Sequence, residues 1–114
     1  MKLKKVRPKD LAVDLLNRSI CSVQVAACLV DKKGAIHAWG WNSQWSGYGI
    51  HAESHCLLRS NRKRWTESTL YIAAKRRKSG NTVTSRPCAE CAKLVKKVGR
   101  VVYRDGNGVW KVLG

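Results

Sequence analysis

Two short stretches decide how this chain is read: His51-Ala52-Glu53 and Pro87-Cys88-Ala89-Glu90-Cys91, with Cys88 standing 37 positions after His51. Each opens a stretch expected to be helical, Ala52 to Arg62 and Cys88 to Val98. Cys88 and Cys91, three apart, point to one side of their helix, so two thiolates can grip one ion. A helix N-terminus also favours thiolate over thiol. His51 adds an imidazole from the start of the other helix. Three protein ligands leave the fourth tetrahedral position of Zn²⁺ open to water, as in catalytic rather than structural sites. Glu53 is too close to His51 in sequence to be a comfortable fourth ligand, yet close enough to reach that water. Zinc lowers the pKa of its water to about 7. Glu53 can therefore take the proton and pass it to a leaving group.

Competing patterns fit less well. A zinc ribbon needs a second C-x-x-C, and a redox C-x-x-C leaves His51 and Glu53 unexplained. His51 and His55 have the spacing of an H-E-x-x-H protease, but the glutamate is one place too late. His55 reads as a helix-face residue. Cys21, Cys28 and Cys56 read as buried small hydrophobes.

H-x-E…P-C-x-x-C is the signature of zinc deaminases. Through HAE (51–53) and PCAEC (87–91) the sequence resembles the cytidine deaminase superfamily. The resemblance implies His51, Cys88 and Cys91 as zinc ligands, Glu53 as proton shuttle, and hydrolytic loss of ammonia from a pyrimidine C4 or purine C6. It also implies that Asn42, at the end of a strand, contacts the sugar. Ala52, Arg86 and Pro87, next to the motif residues, join the expected substrate contacts, as do Trp45 and Tyr48, which could stack on a base.

The rest of the chain gives an order α-β-β-α-β-α-β-β. A helix is expected over Asp10 to Ser19 and a hairpin from Ser22–Asp31 and Ala35–Asn42, with Ile36, Ala38 and Gly40 on one face. Residues 43–50 read as a loop, Trp65 to Arg77 holds a strand, and Thr82 to Ser85 a short returning one. Gly99 reads as the cap ending the Cys88 helix. Arg100–Asp105 and Val109–Leu113 are the final strands. The turn between them is too short for anything but antiparallel pairing. The expected architecture is α/β: a cytidine deaminase-like three-layer fold, a mixed five-stranded sheet with helices on both faces. Residues 1–9 read as a basic arm and 10–114 as one domain. Among families of this kind, an antiparallel final hairpin resembles the free-cytidine enzymes. The stretch from Ile72 to Pro87 is longer than in the better-known families.

Charge pulls the substrate reading elsewhere. There are 23 Lys+Arg against 7 Asp+Glu, a formal net charge of +16. That excess costs self-repulsion unless a polyanion offsets it. A small neutral nucleoside gives no reason for it. Lys75-Arg76-Arg77-Lys78 and Arg62-Lys63-Arg64 are candidate phosphate contacts; Lys93, Lys96, Lys97 and Arg100 share one helical face. The expected function is zinc-dependent conversion of cytosine to uracil in single-stranded DNA or RNA, because a base inside a duplex cannot reach a buried metal. A free cytidine, deoxycytidine or dCMP deaminase is the alternative, and an inactive basic nucleic-acid-binding module retaining zinc a further one. Adenine stays open as the target. The longest apolar run, Val25–Val30, is far short of the ~20 residues that span a bilayer. No signal-like apolar stretch follows the basic start, and five cysteines cannot all pair. An intracellular, cytoplasmic protein without a membrane partner is expected, nuclear residence and a homo-oligomer being compatible.

Overall fold

A computed structural model describes residues 7–45 and 48–113; the side chains at 44, 45, 48–50 and 90 are outside the description. β1 (Val23–Val30) is the central organiser. It pairs antiparallel with β2 (Ile36–Trp41) on one side and with β5 (Thr69–Arg76) on the other. β5 pairs parallel with β6 (Arg100–Arg104), which pairs antiparallel with β7 (Trp110–Val112). The sheet therefore has five strands in the order β2-β1-β5-β6-β7. The parallel step needs a crossover, and α3 (Ala89–Val95) supplies it.

β1 reads as a continuous apolar run because both its faces are covered. Ala26, Cys28 and Val30 face α1 (Pro8–Leu15), where they pack with Ala12, Leu15 and Leu16. Ala27 and Leu29 face the other way, toward α2 (Ala52–Leu58) and α3, among Cys56, Leu57, Ile72 and Val95. The expected three layers are present. The last two strands are antiparallel, as the short turn required. Asp105 builds that turn, its Oδ1 accepting the Asn107 and Val109 N–H groups at 2.9 Å each. Asp31 does the same for Lys33 and Ala35 between β1 and β2.

Several local expectations change. α1 starts at Pro8, inside the stretch read as a basic arm, and a 3-10 turn (Leu16–Arg18) follows it. The register slips between Leu29 and Val30, so Leu29 faces Ala38 while Val30 faces Ile36. This bulge turns Ile36 to the α1 face, apart from Ala38. Residues 43–50 are not a plain loop: β3 (Ser43–Trp45) pairs antiparallel with β4 (Tyr48–Ile50). α2 ends at Leu58, and a 3-10 helix runs over Arg62–Glu67. The returning strand at 82–85 shrinks to a single bridge, Lys75 to Thr82.

α3 ends at Val95, so Gly99 is not its cap. Gly99 is required for another reason: a Cβ there would stand 2.3 Å from the Thr66 carbonyl oxygen. Gly40 is under a similar constraint, since a Cβ would stand 2.5 Å from the backbone nitrogen of Cys56. That contact lets α2 lie directly on β2.

Candidate active site

The centre forms where α2 and α3 begin. His51 is the N-cap of α2 and Cys88 the N-cap of α3; neither side chain spends itself on capping. Both project ahead of their helices, and Cys91 joins from the first turn of α3. The potential ligand atoms of His51, Cys88 and Cys91 lie within 4.8 Å of one another. His51 Nδ1 stands 3.0 Å from Cys91 Sγ and 3.8 Å from Cys88 Sγ. Nitrogen and sulfur ligands held by Zn²⁺ at their usual lengths stand about 3.5 Å apart on a tetrahedron. The observed spacings bracket that distance. Two thiols and an imidazole also suit its borderline-soft character, so the residues present fit zinc.

Glu53 lies beside them and is only 5% exposed. Burial raises its carboxyl above the ordinary carboxylate range, and its own backbone N–H and the Cys91 thiol oppose that only in part. Burial, then the Glu53 charge, also pushes the Cys91 thiol up. A bound dication reverses that preference, because a coordinating thiol loses its proton outright.

The centre opens into a cavity of about 350 Å³. Asn42, Ala52 and Arg86 line it with Glu53, His51 and Cys88. Pro87 is not among the lining residues. Asn42 has a structural duty as well. Its Oδ1 accepts from Ser19 Oγ at 2.6 Å and the Val25 N–H at 2.9 Å, while Nδ2 donates to the Val23 carbonyl at 2.9 Å. It thereby ties the end of β2 to the start of β1, with one amide hydrogen left for a ligand. Trp45 and Tyr48 are register partners in the β3–β4 ribbon leading into His51; their side chains lie outside the described residues.

Sequence reasoning missed Cys21, Val23, Val25, Ser43, Thr84 and Ser85, all of which line the cavity. Cys21 is therefore not the buried hydrophobe expected, unlike Cys28 and Cys56, which are fully buried. Ser85 anchors the Arg86-Pro87-Cys88 approach. Its Oγ donates to the Ile72 carbonyl at 2.6 Å and accepts the Arg104 N–H at 2.8 Å. Nothing in the local sequence marks that double bond across β5 and β6. Alternation along β1 could have flagged Val23 and Val25 on the α2 face. His55 stays out of the centre: its Nδ1 meets the Trp41 backbone, and its ring packs edge-on to Trp41.

The basic clusters separate. Lys75–Lys78 leave the sheet at the site end, since Arg76 pairs with Val23. They do not form a single comb: Lys75 Nζ donates to Asn17 Oδ1 at 2.7 Å and Arg77 to the Ile20 carbonyl at 3.3 Å. Arg62, Lys63 and Arg64 lie at the opposite end, where Arg64 pairs with Asp31 after β1 at 2.5 Å and Arg62 lies over Trp65. On β1, Val25 at the cavity and Val30 beside the Asp31 end are five residues apart, roughly 17 Å. Because α3 ends at Val95, Lys97 and Arg100 do not continue a helical face with Lys93.

Fold and centre together define a class: an α/β domain of cytidine deaminase type with a zinc centre at two helix starts. Residues 5–104 match the family described as "Cytidine and deoxycytidylate deaminase zinc-binding region", and the chain belongs to that family of hydrolytic zinc enzymes. A search of curated proteins by sequence gave no match. The fold is similar to a cytidine deaminase from Burkholderia pseudomallei, with a TM-score of 0.72 at 18% identity over 94% of this chain and 89% of that one. A cytidine deaminase from Mycobacterium leprae aligns with a TM-score of 0.61 at 16% identity over 91% of this chain and 88% of that one. No helix among the described residues is long and apolar enough to cross a membrane.

Proposed function

We propose that this chain converts cytosine to uracil in single-stranded nucleic acid, with His51, Cys88 and Cys91 holding the zinc. The observation that carries the substrate reading is the charge: +16 overall, with Arg86 in the cavity wall and Lys75–Lys78 at the same end. Zinc bound here supplies an acidified water at its open position. Glu53, whose carboxyl burial raises above the ordinary carboxylate range, takes a proton from that water and passes it to the departing ammonia. Asn42 offers its remaining amide hydrogen to the sugar, and Arg86 offers a bidentate contact to a phosphate. Val23 and Val25 give the base an apolar wall.

The antiparallel β6–β7 pair, which resembles that of free-cytidine enzymes, favours a second reading, a deaminase of free cytidine. A panel of single-stranded DNA, RNA, nucleosides and nucleotides separates the two, read for C→U and A→I conversion with Glu53→Ala as control. The proposal expects polynucleotide conversion that falls steeply with added salt. Conversion of cytidine or dCMP alone, with DNA and RNA left unchanged, overturns it. Ammonia release that Glu53→Ala abolishes excludes an inactive binding module.

A further inference from the structure

A second cavity, also about 350 Å³, lies on the far side of Arg86. Its apolar floor includes Val95, Val101 and Leu113; Lys96 and Arg100 join Arg86 as cations, and no described lining residue is acidic. Arg86 lines both cavities, so the two share a wall residue that carries a cation. We propose that this second cavity is the subsite for a nucleotide neighbouring the target base, with Arg86 at the phosphate between the two. The inference rests on the polynucleotide reading above.

The chemistry fits that occupant. The two cavities have equal volumes, so a space that admits one nucleotide has room for the next. An apolar floor suits the face of a base, and three cations with no acid among the described lining residues suit phosphate oxygens. A second copy of this chain is a poorer fit, since it would bring another +16 against these cations.

Two measurements test the subsite. In the first, zinc-loaded Glu53→Ala protein is cross-linked to single-stranded oligonucleotides holding one cytosine, with 5-iodouracil on one flank at a time. One flank is expected to map to residues 92–101 or to Leu113. In the second, Lys96→Glu/Arg100→Glu in otherwise native protein is expected to lower kcat/KM on the oligonucleotide about tenfold or more. Turnover of dCMP or cytidine stays within about twofold, as expected for a contact that a mononucleotide does not make. An abasic nucleotide on the mapped flank reproduces the loss in native protein. Oligonucleotide turnover with cross-links confined elsewhere, or with equal losses on both substrates, overturns the subsite alone. A native dimer that the double variant disrupts while oligonucleotide turnover persists gives the cavity to a second copy, and also overturns it. Failure of native protein to convert any oligonucleotide overturns the function reading instead.

Discussion

Glu53 combines two properties: burial raises its carboxyl above the ordinary range, and its side chain bonds with Cys91 of the ligand cluster. Glu53→Gln keeps the volume and removes the proton transfer. Turnover on the best substrate should fall by about 10²–10⁴-fold while zinc content, read by metal analysis, stays at one per chain. A loss of zinc in parallel with activity would instead make Glu53 a support of the centre. The role proposed for Glu53 could be read from the sequence because two residues of separation from His51 is a local relation. Ser85 was not legible, because its partners Ile72 and Arg104 come from two different strands. The dual position of Asn42 was half legible: its placement at a strand end could be read, its bonds to Ser19 and Val25 could not.

The metal centre couples the start of α2 to the start of α3. Zinc binds the folded arrangement and not a dispersed chain, so it should stabilise by mass action, about 2.7 kcal/mol at a free concentration one hundred times Kd. Thermal unfolding with and without chelator reads this directly, and His51→Ala should remove the difference. β2 is held against α2 by the missing Cβ of Gly40. Gly40→Ala must push backbone against backbone, at a cost of about 1–3 kcal/mol. A fall in Tm of about 4 °C or more is expected, accompanied by weaker zinc binding, because α2 carries His51 with it. The periodicity of these elements was readable from their apolar spacing. The ends were not: α2 and α3 both stop earlier than their sequences allow, at Leu58 and Val95. The close contacts at Gly40 and Gly99 come from neighbouring elements, not from local propensity.

Over the whole molecule, cations outnumber acids so heavily that each anchored carboxylate counts. Asp31 is held below its ordinary value of 3.8 by the Ala35 and Lys33 N–H groups and by Arg64. Asp105 is held below it in the same way by the Val109 and Asn107 N–H groups and by Lys111. Their folded-state pKa values are depressed, so the stability they contribute is present above 3.8 and is lost as pH falls through the lowered values. The urea midpoint should therefore decline below about pH 4. Asp31→Asn/Asp105→Asn should be less stable than native protein at pH 6 and show a flatter slope in the acid range. Rising positive charge over the same interval adds to the loss in both proteins.

The sequence by itself marked the metal donors at two helix starts and the antiparallel final pair. The Cys88–Cys91 pair depends on spacing within one helix start and the final pair on the length of one turn, relations that chain geometry imposes before any packing occurs. Only the tertiary structure decided which distant residues share the site. It separated Arg62–Arg64 from the cavity by the Val25–Val30 part of β1 and brought Ser85 onto β5 and β6. It also placed Arg86 in the lining of two cavities. The physical reason is that a charge run looks the same in sequence at either end of a sheet. Which end it occupies is fixed by strand register, and register is settled by packing on both faces at once.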